Sequence, residues 1–227
     1  MKHRILLVGS GSTVSKSLID RYIENYEFIT FSREPSTGKG KHYVLNSLTD
    51  DLPVIENTLD GLVYFPGTIN LRPFRSLSTD DFLEDFEINF LGAARIIKTY
   101  LKNLVKSDKA SVVLISSVAA TQGMAYHSSI AASKSALEGF TRAMAAEYAT
   151  KVRFNAVAPS LTDTSLSGHL LKSDSAREQF ALANPMKRIG KPSDISGMIS
   201  FLLSESSSWV TGQVINVDGG MSVISKR

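Results

Sequence analysis

The chain has 227 residues, of which 43% are hydrophobic and none is cysteine, and its formal net charge is +3 at pH 7. This length and composition predict one globular domain over residues 1–227, and they exclude disulfide bonds, thiolate metal sites and a disordered chain. The basic residues are scattered and no apolar run approaches the roughly 18 residues of a membrane span, so we expect no metal, nucleic-acid or membrane partner. The first residues, MKHRILLV, predict a strand rather than a signal peptide, so we expect a cytoplasmic protein.

Strands and helices alternate along the sequence. Short runs of Val, Ile, Leu and Phe predict strands, and apolar residues with helical periodicity predict helices. In chain order we expect a strand at 4–8, a helix at 13–24, strands at 28–31 and 62–65, a helix at 80–105, a strand at 111–115, a helix at 129–149, a strand at 152–157, a helix at 193–204 and a strand at 213–217. Ser193 or Asp194 is expected to cap the last helix.

The strands are mostly apolar on both faces, which is typical of a sheet covered by helices on both sides. We therefore expect an α/β fold, a doubly wound and mostly parallel sheet of the Rossmann type. Residues 160–190 are polar and interrupt the alternation after the strand at 152–157. We interpret them as a substrate loop or lid, with a plain surface excursion as the alternative.

Two local patterns point to a dinucleotide. Gly9 and Gly11 follow the first strand and match the first two glycines of G-x-G-x-x-G, although Val14 holds the third position. Such a turn lets backbone N–H groups approach a pyrophosphate at the start of a helix, but an ordinary strand-to-helix turn explains the same residues. The second strand ends in Ser32 and Arg33 with no Asp, which favours NADP(H) over NAD(H) because an Arg accommodates a 2′-phosphate. The alternative is a solvated surface Arg33.

Several motifs in order resemble the short-chain dehydrogenase/reductase family over essentially the whole chain. They are the glycine-rich turn, YFPG at 64–67, Asn89 in INFLG, Ser117 in ISSV, Lys134 in IAASK, APSLTDT at 158–164 and VDGG at 217–220. The resemblance implies an NADP(H)-dependent oxidoreductase that acts on a small carbonyl or alcohol substrate and forms a homodimer or homotetramer.

The resemblance also implies residue roles. Asn89 would hold a water of a proton relay, Ser117 would bind the substrate carbonyl, and Lys134 would bind the nicotinamide ribose. The implied cofactor-binding residues are Gly9, Ser10, Gly11, Ser12, Thr13, Val14, Ser32, Arg33, Asn46, Pro66, Gly67, Lys134, Pro159, Thr162 and Thr164.

Ile130 departs from the family's pattern. It stands four residues before Lys134 and 13 after Ser117, where the family has its proton-donating tyrosine. Isoleucine neither donates nor accepts a proton. Tyr126 is considered as a replacement acid. His127 and Ser129 are weaker candidates because adjacent helix positions point in different directions.

Other positions of the family's motifs differ as well. Val8, Gly9, Thr13 and Ser15 stand where the family has T-G-x-x-x-G-x-G, and the hydroxyl of Ser12 or Thr13 could bind the pyrophosphate instead. Tyr64 replaces the first residue of NNAG, and we expect its side chain to pack.

Four interpretations therefore stay open. The first is an oxidoreductase whose proton comes from Lys134 through water, from the ribose or from the substrate. The second is an NADP(H)-binding sensory or regulatory protein without redox chemistry. A structural α/β protein without a dinucleotide leaves the order of the motifs unexplained. An engineered Ile130 leaves the other differences from the family unexplained.

Overall fold

The computed structural model describes residues 2–35 and 40–224, and its centre is one parallel sheet of seven strands. The strands are β1 (His3–Val8), β2 (Tyr26–Ser32), β3 (Lys41–Val44), β4 (Gly61–Tyr64), β5 (Ala110–Ile115), β6 (Val152–Pro159) and β7 (Val214–Val217). Their order across the sheet is β3-β2-β1-β4-β5-β6-β7. Strands β2 and β3 lie on one side of β1, and β4 to β7 lie on the other, so the strand order reverses between β1 and β4. Ligands of such sheets bind beyond the carboxyl ends of the strands at this point.

Helices cover both faces of the sheet. They are α1 (Thr13–Tyr22), α2 (Thr79–Phe86), α3 (Gly92–Val105), α4 (Ser128–Tyr148), α5 (Asp174–Ala183) and α6 (Pro192–Leu203). A π turn, Glu87–Leu91, joins α2 to α3, and single 3-10 turns lie at Phe74–Ser76, Val118–Ala120 and Glu205–Ser207. In the part of the chain that the structure describes, no helix is long and apolar enough to cross a membrane.

The core consists of two layers, one on each face of the sheet. Along β1, Leu6 and Val8 belong to the layer under α3 and α4, whereas Ile5 and Leu7 belong to the layer under α1 and α6. Successive side chains of a strand point to opposite faces, so a strand buried on both sides is apolar at every position. The predicted fold class, a doubly wound parallel sheet with helices on both faces, is confirmed.

Some predicted elements need correction. The helix expected at 80–105 is divided by the π turn, and the segment 160–190 contains α5, which buries none of its residues and so has no apolar stripe to detect. Strand β3 was missed because it is a four-residue edge strand with exposed ends. The cap of α6 is Lys191 rather than Ser193 or Asp194, and the carboxylate of Asp194 accepts a hydrogen bond of 2.7 Å from the Lys191 N–H.

Candidate functional site

A cavity of about 330 Å³ lies at the carboxyl edge of the sheet. Its walls come from the start of α1, the turns after β4, β5 and β6, the first turns of α4 and the segment between β6 and α6. Ten residues from the sequence prediction line it, namely Ser12, Thr13, Val14, Gly67, Ser117, Ile130, Lys134, Pro159, Thr162 and Thr164. The segment 160–190 therefore contributes directly to the cavity wall.

The glycine-rich turn brings backbone close to the end of β4. Gly9 has a φ of +82°, and a Cβ at this position would lie 3.0 Å from Cδ of Pro66. Ser12 caps α1, since its Oγ accepts a hydrogen bond of 3.1 Å from the Ser15 N–H. A Cβ at Gly11 would meet no atom within 4 Å. The open approach to the start of α1 fits a bound pyrophosphate, because the N-terminus of a helix attracts anions.

Two hydroxyls of this turn are already engaged by the protein. The Ser165 N–H donates a hydrogen bond of 3.1 Å to Oγ1 of Thr13, which joins α1 to the segment after β6. Ser10 is buried and its Oγ donates to the Phe31 carbonyl at 3.3 Å. Ser10 thus ties the turn to β2.

The residues predicted to bind the adenosine half follow two neighbouring strands. Ser32 ends β2 and pairs in register with Val44, the last residue of β3. Arg33 comes next and is exposed, whereas Asn46 is half-buried and its Oδ1 accepts from the Leu48 N–H at 3.1 Å. None of these three residues belongs to the cavity lining.

Lys134 places a buried amine on the cavity wall. Its side chain lies on α4, the residue is 6% exposed, and Nζ donates a hydrogen bond of 2.6 Å to the Ile115 carbonyl. Burial lowers the pKa of Lys134 to about 8, and the negative charge of Asp85 acts in the opposite direction. A Cβ at Gly67 would lie 3.3 Å from this Nζ and 3.1 Å from Oδ1 of Asn89, so a side chain here would require both polar atoms to shift by a few tenths of an ångström.

Asn89 lies in the π turn and is fully buried. Its Nδ2 donates to the Asp85 carbonyl at 2.7 Å and to Thr68 Oγ1 at 2.8 Å, and its Oδ1 accepts from the Thr68 N–H at 3.3 Å. The side-chain amide thus binds the Asp85 carbonyl that a regular α-helix would pair with the Asn89 N–H. These bonds fix the turn after β4 beside the π turn.

Ile130 is 4% exposed and lines the cavity one helical turn before Lys134. Tyr126 is 60% exposed, has a left-handed φ of 69° and lies outside the lining, so it does not replace an acid there. His127 does line the cavity, and its Nδ1 lies 2.7 Å from the Ala125 carbonyl. Although His127 was expected to be a weaker candidate than Tyr126, it lies on the cavity wall, one residue before α4 begins.

The sequence analysis also missed two side chains that contact the Asn89 network. They are Thr68, which lines the cavity, and Asp85, a fully buried carboxylate on α2. The available signal was the four-residue spacing between Asp85 and Asn89, which places two residues on one helix face. As expected, Tyr64 packs in the core, and its hydroxyl donates to the Ile88 carbonyl at 2.8 Å.

Comparison with known proteins identifies the family. A family model described as "Enoyl-(Acyl carrier protein) reductase" matches residues 44–222. The 3-oxoacyl-(acyl-carrier-protein) reductase of Thermotoga maritima is 32% identical over 230 aligned positions, which cover 96% of this chain and 91% of the relative.

Two solved structures share the fold. Ligand-free aldohexose dehydrogenase of Thermoplasma acidophilum matches with a TM-score of 0.89 at 24% identity, over 100% of this chain and 96% of that one. ElxO with NADP bound matches with a TM-score of 0.85 at 24% identity, over 97% of this chain and 99% of that one. From the family model and the relative at 32% identity it follows that the chain belongs to the short-chain dehydrogenase/reductase family, whose oxidoreductases bind nicotinamide cofactors.

Proposed function

We propose that the protein is an NADP(H)-dependent oxidoreductase acting on a small carbonyl or alcohol substrate, with Ile130 at the position of the family's proton-donating tyrosine. The observation that carries the proposal is one cavity that joins the start of α1 to Ser117 and the buried amine of Lys134. When bound, the nicotinamide would donate or accept a hydride.

Each predicted cofactor residue has a place in this proposal. The turn from Gly9 to Val14 would hold the pyrophosphate, and Pro66, Gly67, Pro159, Thr162 and Thr164 would surround the nicotinamide half. Ser32, Arg33 and Asn46 would bind the adenosine half, with the guanidinium of Arg33 on the 2′-phosphate. This charge contact is the reason for preferring NADP(H).

The proton would come from Lys134. Its ammonium has a pKa of about 8, so a proton leaves Nζ far more readily near neutral pH than from an ordinary lysine. The Ser117 hydroxyl can donate a hydrogen bond to the substrate oxygen, whereas Ile130 contributes only apolar contact. A missing general acid costs on the order of 10² to 10⁴ in rate. We therefore expect slow turnover.

The imidazole of His127 is the second candidate for the proton, because it lines the same cavity. When its Nδ1–H donates to the Ala125 carbonyl, Nε2 is the nitrogen that exchanges a proton. Lys134→Ala and His127→Asn separate the two sources when turnover is measured at saturating NADPH, because Lys134 would also bind the nicotinamide ribose. Unchanged turnover in Lys134→Ala would overturn the assignment to Lys134.

The first experiment is a fluorescence titration with NADPH and, separately, NADH. We expect micromolar or tighter binding of NADPH and much weaker binding of NADH. A 3-oxoacyl thioester, the substrate type in the name of the Thermotoga maritima relative, is then the first probe for NADPH consumption. Failure to bind either nucleotide would overturn the proposed function.

The isoleucine at position 130, where the family has its tyrosine, favours a second candidate function, that of an NADP(H)-binding sensory or regulatory protein. Nucleotide binding without hydride transfer to any carbonyl, together with a partner whose affinity depends on the nucleotide, would support it. Consumption of NADPH with a natural substrate would exclude it.

Assembly into a homodimer or homotetramer and a cytoplasmic location stay predictions.

A further inference from the structure

Asp85 is a fully buried carboxylate with an incomplete set of hydrogen bonds. Its Oδ1 accepts from Nδ2 of Asn70 at 2.8 Å and from the hydroxyl of Thr68. Its Oδ2 has no hydrogen-bond partner among the described residues. An unpaired buried carboxylate oxygen is costly, so the charge requires compensation from elsewhere.

The other buried carboxylates that the structure describes, Asp218 and Glu138, have no buried oxygen without a hydrogen-bond partner. Both oxygens of Asp218 accept hydrogen bonds within its own turn, from the Gly220 N–H at 2.8 Å and from Ser222. Glu138 accepts from Ser116 Oγ at 2.7 Å. The buried oxygen without a hydrogen-bond partner therefore distinguishes Asp85 from both.

A short path of contacts leads from Asp85 to the cavity. The hydroxyl of Thr68 donates to Asp85 and accepts from Nδ2 of Asn89. Oδ1 of Asn89 and Nζ of Lys134 both lie within 3.3 Å of the same point beside Gly67. Thr68 lines the cavity and Asp85 does not, so Asp85 acts from behind the cavity wall.

Lys134 carries the buried positive charge that can compensate the carboxylate of Asp85. Among the buried charged residues that the structure describes, Lys134 is the only cation. Opposite charges interact strongly where water is excluded, and the negative charge of Asp85 favours the protonated amine. The desolvation of each charge is thus partly offset by the other.

We infer that Asp85 is a positioning residue that favours the protonated Lys134 amine against the effect of burial, in a cavity where Ile130 offers no phenol. Thr68 and Asn70 fix the carboxylate, and its charge reaches the amine across the Asn89 amide. The consequence for proton delivery rests on the proposed function, but the coupling between the two charges does not.

Other ionisable groups face the same region and must be separated from Asp85. His127 and Arg188 line the cavity, and Glu138 lies on α4 one turn after Lys134. The guanidinium of Arg188 is paired with Asp194 at 2.6 Å, which offsets its charge. The test therefore compares Asp85 with a neighbouring carboxylate rather than relying on pH dependence alone.

The test measures the pKa of Lys134 by NMR of ¹³Cε-labelled lysine in the nucleotide-free protein, with the resonance assigned through Lys134→Arg. Asp85→Asn keeps the side-chain shape and removes the charge. We expect it to lower the pKa of Lys134 by roughly one pH unit or more. Glu84→Gln removes the same charge from the adjacent exposed position and should leave the pKa unchanged. An equal pKa in Asp85→Asn and Glu84→Gln would overturn the inference.

Thr68 provides a second test if Asp85→Asn does not fold. Thr68→Val keeps the shape but removes the hydroxyl that holds the carboxylate, whereas Thr68→Ser keeps that hydroxyl. A lower pKa of Lys134 in Thr68→Val but not in Thr68→Ser supports the coupling, and equal values overturn it. Because neither NMR test needs cofactor or substrate, a wild-type protein without turnover would contradict the proposed function and leave this inference standing.

Discussion

Replacing Ile130 by tyrosine is expected to add a phenolic general acid to the cavity beside Lys134. The new phenol would stand one helical turn before Lys134 on the same face of α4, since residues four apart are neighbours on a helix. Ile130 already lines the cavity of about 330 Å³, so the larger ring can extend into that space. The adjacent ammonium would lower the phenol pKa from its ordinary value near 10.

The size of the gain follows from the proton-transfer step. A positioned general acid contributes on the order of 10² to 10⁴ in rate, which corresponds to about 3 to 5 kcal/mol of barrier. A ring that found no room would instead strain the core by about 1 to 3 kcal/mol and lower stability. Thermal unfolding of the variant therefore accompanies the kinetic measurement.

The assay follows NADPH consumption with a 3-oxoacyl thioester, and Ile130→Phe is the matched control because it adds the same ring without the hydroxyl. We expect Ile130→Tyr to exceed both wild type and Ile130→Phe, with a reduction rate that falls as pH rises through the phenol pKa. Equal rates in the Tyr and Phe variants, both folded, would refute the placement of Ile130 at the acid position.

Three further predictions concern the cofactor site and its charges. Arg33→Ala should weaken NADPH binding roughly tenfold or more and leave NADH binding unchanged, as measured by fluorescence titration; equal losses for both would exclude a 2′-phosphate contact. Gly9→Ala should lower the free energy of unfolding in urea by about 1 to 2 kcal/mol because φ is positive and Pro66 is close, whereas Gly11→Ala should not. Since the folded pKa of Lys134 is about 8 and the unfolded value is near 10.4, the unfolded chain binds more protons between these pH values. The wild-type free energy of unfolding should therefore rise by up to about 3 kcal/mol across this range relative to Lys134→Met, and a flat difference would contradict the lowered pKa.

The sheet could be predicted from the sequence because its strands are buried on both faces. Each predicted strand is a run of apolar residues, and such runs are visible without any knowledge of their partners. Strand β3 and helix α5 carry no comparable signal. One is an edge strand with exposed ends, and the other buries none of its residues, so tertiary contacts decide their structure.

Some residues of the site could likewise be predicted from the sequence, and others could not. Residues on named motifs, such as Ser117 and Lys134, could be predicted to line one cavity because the carboxyl ends of parallel strands meet at one edge. The role of Asp85 could not be predicted, since a carboxylate in a helix reading TDDFLEDF has the pattern of a solvated face. The π turn rotates the following residues, and the contact with Thr68 comes from a turn 17 residues earlier. The position of His127 on the cavity wall could not be predicted, since it precedes α4 and helical periodicity does not apply to it.

The buried charges bear on the choice between a working enzyme and a binding protein. Replacing a buried ion pair with apolar residues of similar volume is often neutral or stabilising by about 1 to 4 kcal/mol. Lys134 and Asp85 are buried opposite charges that form no direct salt bridge among the described residues, so burying them costs free energy and a protein that needed only the fold would lose little stability without them. A binding role accounts for an ammonium that contacts a nucleotide, but it does not require a carboxylate behind the cavity wall to keep that ammonium protonated. Among the residues that the structure describes, Lys134 is the only buried amine and the negative charge of Asp85 favours its proton, so the proposed proton delivery would account for both buried charges.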